Sequence, residues 1–115
     1  MFFNRVNEID SAELVHWLDK KKGQFNVIDV REMGEIAHGT VPHAVAMPLG
    51  TVPAHVHGLD RNATYVMVCR SGARSAQACM FLMQHGFQHV YNLRGGMLGW
   101  VQNGHVPVKL EAPAA

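Results

Sequence analysis

Residues 69–75, Cys-Arg-Ser-Gly-Ala-Arg-Ser, bring together a thiol, two guanidinium groups, two hydroxyls and a glycine within seven positions. The thiolate is the reactive form of cysteine, and nearby cations lower the pKa of a thiol. Arg70 and Arg74 flank Cys69 in the sequence with no acidic residue beside them. Gly72 supplies the positive φ that a tight loop needs. The stretch therefore predicts a reactive thiolate in a loop that binds anions.

The elements on either side must place this loop at an edge of a sheet. Residues 65–68 form an apolar, partly β-branched run that is typical of a buried strand, and residues 75–85 have the pattern of a largely covered helix. The loop N–H groups and the helix N-terminus would then point at one spot, where negative charge is stabilised. The Ser71 and Ser75 hydroxyls are expected to cap the helix or to contact the bound species.

Of the chain's two cysteines, only Cys69 has this setting. A cysteine after an apolar strand is often just a small buried hydrophobe, but two arginines around an inert thiol count against that interpretation for Cys69. Cys79 lies between Ala78 and Met80 with no charge beside it, so it is expected to be inert. Two cysteines also exclude a disulfide framework and a four-cysteine zinc site.

The composition limits the functions that the chain can have. With 115 residues, 48% of them hydrophobic and 17% charged, it fits one globular domain and not a disordered segment. A net charge of +1 predicts no nucleic-acid or membrane-surface binding, and no apolar stretch approaches the roughly 18 residues of a membrane helix. The first eight residues do not resemble a secretory signal, so a cytoplasmic location is expected.

The charges are unevenly distributed along the chain. Residues 1–60 carry eight acids and five bases, whereas residues 61–110 carry five bases and no acid. The asymmetry indicates that the second half handles an anion, with chance in a short sequence as the alternative.

Strand and helix patterns alternate through the sequence. Strands are predicted at 5–9, 27–30, 44–47, 65–68 and 89–93, and helices at 10–22, 32–38, 53–58, 75–85 and 97–103. Asp10 stands three residues before Glu13 as a helix cap. The alternation predicts an α/β fold with a mostly parallel central sheet flanked by helices on both faces. Residues 1–109 are expected to form one domain, with 110–115 as a loose tail.

Three blocks of this sequence resemble the rhodanese-like family. They are Asp29-Val30-Arg31-Glu32 followed by Glu35; Cys69-Arg70-Ser71-Gly72-Ala73-Arg74-Ser75; and Leu93-Arg94-Gly95-Gly96-Met97 with Trp100, Gly104, Pro107 and Val108. The blocks occur in the family's order over nearly the whole chain.

The resemblance implies a thiosulfate sulfurtransferase without a cofactor or a metal. Cys69 would take a sulfur atom from a small anionic donor as a persulfide and pass it to cyanide or a thiol. Residues 70–75 would form the anion-binding loop, with Arg70 and Arg74 holding the donor's anionic end. A protein sulfur acceptor or a thioredoxin-like reductant is a further expected partner.

Four charged residues outside the loop are candidates for supporting roles: Asp29, Arg31, Glu35 and Arg94. Attack by a thiolate on sulfur needs no general base, so Arg31 is expected to pair with Glu35 or Asp29 and to fix the loop. Arg94 either adds to the positive field or is structural.

Three other functions are alternatives to sulfur transfer. Cysteine phosphatases and arsenate reductases commonly place an arginine six residues after the cysteine, whereas Arg74 follows Cys69 by five, which favours a tighter site for a sulfur atom. A persulfide carrier that delivers sulfur to a protein needs the same loop and stays open. The eight histidines show no metal-site spacing.

Overall fold

The structure, a computed structural model, describes residues 5–110. Its elements are β1 (Asn7–Ile9), α1 (Ser11–Lys20), β2 (Asn26–Asp29), α2 (Met33–Ile36), β3 (Val45–Ala46), α3 (Val52–His55), β4 (Thr64–Val68), α4 (Ala73–Gln84), β5 (His89–Leu93) and α5 (Gly96–Gln102). The strands form one parallel sheet in the order β1-β5-β4-β2-β3. The predicted parallel sheet with flanking helices is confirmed.

The two faces of the sheet carry separate apolar clusters, because successive strand side chains point to opposite sides. On β4, Val66 and Val68 pack on one side with residues of α1 and α5, including Leu14 and Trp100. Met67 packs on the other side with residues of α3 and α4. The central position of β4 between these layers fixes the point at which its carboxyl end leaves the sheet.

Several element boundaries differ from the sequence prediction. The strand predicted at 5–9 begins at Asn7, and the helix predicted at 53–58 is one α-helical turn between two 3-10 turns, Leu49–Thr51 and Val56–Gly58. The predicted cap of α1 is confirmed, since the Glu13 N–H donates to the Asp10 carboxylate at 2.8 Å. Helix α4 begins at Ala73, two residues before the prediction, because the chain already turns at Gly72.

The segment after α5 is tied back to the fold. Thr40 and Val108 exchange two backbone hydrogen bonds of 2.8 Å, and the Lys109 ammonium donates to the Ala37 carbonyl. Apart from Leu110, the predicted tail lies outside the described residues. Within 5–110, no helix has the length and apolar character needed to cross a membrane.

Candidate active site

The loop between β4 and α4 lies at the carboxyl edge of the sheet. Strand β4 ends at Val68, Cys69 follows directly, and α4 begins four residues later at Ala73. Gly72 has φ +107°, which confirms the predicted left-handed turn. A Cβ at Gly72 would meet no atom closer than 3.6 Å, so the backbone angle, rather than crowding, requires glycine there.

The Cys69 sulfur accepts hydrogen bonds from the loop that follows it. The Gly72 N–H donates to Sγ at 3.0 Å, and the Ser75 hydroxyl lies 3.3 Å from Sγ. Burial is the largest single influence and raises the pKa of Cys69. The Ser75 hydroxyl and the N–H groups of Ser75, Gly72 and Ser71 together outweigh it and hold that pKa below the usual thiol value. The site can therefore stabilise a thiolate.

The start of α5 turns the carbonyl groups of the loop away from the sulfur. The Met97 N–H donates to the Cys69 carbonyl at 2.9 Å, and the Leu98 N–H donates to the Arg70 carbonyl at 3.0 Å. Gly96 makes this approach possible, because a Cβ on it would lie 2.5 Å from the Cys69 carbonyl oxygen. With the carbonyls held outside, the N–H groups of the loop face inward.

Arg74 is paired with an acid that its own half of the sequence does not contain. Its guanidinium binds both carboxylate oxygens of Glu35 on α2, at 2.7 and 2.8 Å. The hydrogen bonds from Arg74 lower the pKa of Glu35 to about 2, and the same contact raises the pKa of Arg74. No acid stands beside Arg74 in the sequence, but the fold brings Glu35 to it. The negative charge of Glu35 therefore offsets much of the effect that the Arg74 guanidinium would have on the Cys69 thiol.

The remaining charges of the predicted site differ in how they are engaged. Arg70 is exposed, and no described residue forms an ion pair or hydrogen bond with its guanidinium. Arg94 directly follows β5, the strand next to β4, and there its guanidinium lies 3.7 Å from Asp10 while its backbone N–H donates to the Ile9 carbonyl. Arg94 is therefore paired with Asp10 at the surface, whereas Arg70 is the exposed cation of the loop.

Asp29 and Arg31 form a closed pair under the site. Arg31 donates to Asp29 at 2.7 Å and to the Gly39 carbonyl at 2.7 Å, while the Thr40 hydroxyl donates to Asp29 at 2.7 Å. Both charged side chains are buried. Of the two pairings predicted for Arg31, the one with Asp29 forms. The Glu35 carboxylate instead binds Arg74, and Arg31 reaches only the Glu35 carbonyl, at 3.5 Å.

One residue at the site was missed by the sequence analysis. Asn92 on β5 is 3% exposed, donates from Nδ2 to the Gly72 carbonyl at 3.0 Å, and accepts from the Ser75 hydroxyl at Oδ1. The signal in the sequence was a polar residue between Tyr91 and Leu93, near the carboxyl end of a predicted strand.

Cys79 lies in the apolar core and not in the loop. It is fully buried on α4, and burial raises the pKa of its thiol to about 12. Within the described part of the chain, no three His, Cys, Asp or Glu side chains are grouped to hold a metal ion.

Comparison with known proteins agrees with the fold. Residues 10–103 match the family described as "Rhodanese-like domain". The chain is 41% identical over 99 residues to a protein of Allochromatium vinosum named "Sulfurtransferase", covering 86% of this chain and 92% of that protein. It is also 28% identical over 109 residues to a tRNA uridine(34) hydroxylase of Xanthomonas euvesicatoria pv. vesicatoria, covering 85% of this chain and 44% of that longer protein.

A solved structure shows the same architecture. The crystal structure of a rhodanese-like domain protein from Staphylococcus aureus superposes with a TM-score of 0.81 at 30% identity, covering 93% of this chain and all of that one. The residues matched by the family include the last four of the five strands and the whole loop from Cys69 to Ser75. On this evidence the chain belongs to the rhodanese-like family and is related to named sulfurtransferases.

Proposed function

We propose that the protein transfers a sulfur atom from an anionic donor such as thiosulfate to cyanide or a thiol, through a persulfide on Cys69. The observation that carries the proposal is the setting of the Cys69 sulfur. It accepts a hydrogen bond from the Gly72 N–H at 3.0 Å, and its pKa is lowered although it is buried. A thiolate held in this way is a ready nucleophile for sulfur.

The reaction is a double displacement. The Cys69 thiolate attacks the outer sulfur of thiosulfate, a bond forms between the two sulfurs, and the S–S bond of the donor breaks so that sulfite leaves with the electron pair. Cyanide then attacks the outer sulfur of the persulfide, thiocyanate departs, and the thiolate is restored. The inward N–H groups of the loop stabilise the negative charge in each form of the site.

Arg70 is the residue that we assign to the donor's anionic end. It is the exposed cation of the loop, whereas Arg74 is held by two hydrogen bonds to Glu35. Cys69 itself is only 1% exposed, so the donor reaches the sulfur when the thiol or the loop turns outward. Small anionic donors are therefore expected to react faster than bulky ones.

Delivery of the sulfur to a protein is the second candidate, and one observation favours it. Leu98, whose N–H binds the Arg70 carbonyl, is 40% exposed at the rim of the loop. An apolar side chain there offers a contact to a protein surface, such as a sulfur acceptor or a thioredoxin-like reductant, and little to cyanide. Leu98→Ser is expected to slow transfer to a protein acceptor more than transfer to cyanide, measured as turnover with each.

The proposal is tested by isolating the intermediate. The protein is incubated with thiosulfate, freed of excess donor, and weighed intact without reducing agent. We expect a species one sulfur atom heavier, with the addition mapped to Cys69 and removed by cyanide as thiocyanate. Arg70→Ala should form it more slowly than Lys20→Ala, a matched loss of an exposed cation at the end of α1. Absence of the adduct with thiosulfate, polysulfide and a protein persulfide donor would overturn the proposal.

A further inference from the structure

Asn92 links the two parts of the site that contact the Cys69 sulfur. Its side chain is buried at the end of β5, beside the loop. Through Nδ2 it holds the carbonyl of Gly72, whose own N–H donates to Sγ. Through Oδ1 it binds the Ser75 hydroxyl, which is also 3.3 Å from Sγ. A single amide therefore contacts both Gly72 and Ser75, the residues whose N–H and hydroxyl lie 3.0 and 3.3 Å from the sulfur.

The number of protons in this cluster is limited. Because Nδ2 donates to Gly72, the amide orientation is fixed and Oδ1 faces Ser75 as an acceptor. The Ser75 hydroxyl has one proton, yet two acceptors lie within its reach once Cys69 is a thiolate. In the thiol form the S–H can donate to Ser75 Oγ while Ser75 donates to Asn92. When the thiol proton has left to water, Oδ1 and Sγ compete for the same hydroxyl proton.

We propose that Asn92 is a positioning residue that holds the Ser75 hydroxyl on its own amide oxygen and releases it to the Cys69 sulfur when that sulfur becomes a thiolate. The role in catalysis rests on the proposed sulfur transfer. After the persulfide forms, the negative charge moves to the outer sulfur and the hydroxyl returns to Asn92. After cyanide removes the outer sulfur, the hydroxyl turns back to Sγ.

Several charged and titratable groups lie on the elements packed around the loop, and a substitution at Asn92 replaces none of them. They are Arg74 and Cys79 on α4, Glu35 on α2, the pair of Asp29 and Arg31 after β2, Arg70 in the loop and Arg94 after β5. All of these groups are present in every variant compared below.

The test is a double-mutant cycle on Cys69 alkylation, followed against pH with a small neutral reagent and mapped by mass. Ser75→Ala removes a donor and should raise the pKa of Cys69. Asn92→Leu removes the competing acceptor and should lower that pKa. At pH values below the pKa, the alkylation rate should then rise by about threefold to tenfold. In the Ser75→Ala background, Asn92→Leu should no longer lower it.

A second variant covers the case in which Asn92→Leu does not fold. Asn92→Asp keeps the shape and offers a stronger acceptor, so it should raise the pKa of Cys69, and by more when Ser75 is present than in Ser75→Ala. An equal change in both Ser75 backgrounds, for either variant, would overturn the proposal and leave Asn92 as an anchor of Gly72 alone. Alkylation requires no sulfur transfer, so this result is independent of the persulfide experiment.

Discussion

Cys69 and Cys79 are both almost completely buried, yet the pKa of one thiol is lowered and the pKa of the other is raised. Cys69 is 1% exposed and Cys79 is 0% exposed. Burial raises the pKa of both, to about 12 at Cys79. At Cys69 the effect is reversed by the Ser75 hydroxyl and the N–H groups of the loop. The comparison teaches that hydrogen-bond donors at a strand-to-helix turn, and not exposure to water, distinguish the thiol whose pKa is lowered from the thiol whose pKa is raised.

The source of those donors explains why position in the fold matters. In the middle of α4 the backbone N–H groups around Cys79 are used within the helix. Between β4 and α4 they are free to point at Sγ, since α5 binds the carbonyls of Cys69 and Arg70 from outside. Ten residues along the chain therefore separate a thiol that accepts hydrogen bonds from the loop from a thiol that only fills the core.

The largest expected effect comes from removing each thiol in turn. Cys69→Ser should reduce thiocyanate formation to the uncatalysed rate, because a serine hydroxyl stays protonated at neutral pH. Cys79→Ala should keep most of the activity and lose about 1 kcal/mol of unfolding free energy, from the small cavity left in the core. Steady-state rates and urea unfolding of both variants check this. Similar activity losses in two folded variants would remove the distinction between the cysteines.

A smaller effect is expected from disturbing the loop without touching either thiol. Gly96 has φ +56°, and a Cβ there would lie 2.5 to 2.6 Å from the Cys69 and Arg70 carbonyl groups. Gly96→Ala should therefore displace the loop, raise the pKa of Cys69 and reduce the sulfur-transfer rate by about tenfold to a hundredfold.

Gly99→Ala is the matched control for that substitution. It lies on the same helix, and its Cβ would come no closer than 3.8 Å to the Arg94 carbonyl. Its activity should stay near that of the parent chain. If the alkylation profile of Gly96→Ala also matched that of the parent, the hydrogen bonds from the start of α5 to the loop carbonyls would not be what lowers the pKa of Cys69.

The sequence was sufficient for the parts of the site that depend on neighbours along the chain. The apolar strand before Cys69, the turn at Gly72 and the helix after it are local features, and all three were found. The partners of the charged side chains are harder to predict from the sequence, because ion pairs form between residues that are distant along the chain. Glu35 and Arg74 are 39 positions apart. Asn92 was missed for the same reason, as its partner Ser75 lies on another element.

The contrast between the cysteines also depends, more weakly, on the ion pair beside the loop. Glu35→Gln should leave Arg74 with an unbalanced positive charge and lower the pKa of Cys69 by less than about one unit, because the pair is near the surface and screened. The alkylation profile should shift at low salt and recover toward that of the parent as salt is added. Glu13→Gln, an equal charge change on α1, is the control. If the shift in the pKa of Cys69 did not depend on salt, the cause would be a change in loop geometry and not in charge.

The smallest expected effect is on stability, and its sign follows from the direction of the Glu35 pKa. Pairing with Arg74 lowers the pKa of Glu35 to about 2 in the folded protein, below its value in the unfolded chain. The stabilisation is therefore complete above about pH 5 and is lost as the pH falls toward about 2. Both side chains are about one-third exposed, so the pair should contribute only about 0.5–1 kcal/mol. Urea unfolding of the parent chain and of Glu35→Gln should differ by that amount near neutral pH and converge in acid. A difference that stays unchanged as the pH falls well below about 2 would show that the carboxylate acts through packing, because the group is only about half protonated at its pKa and loses its charge below it.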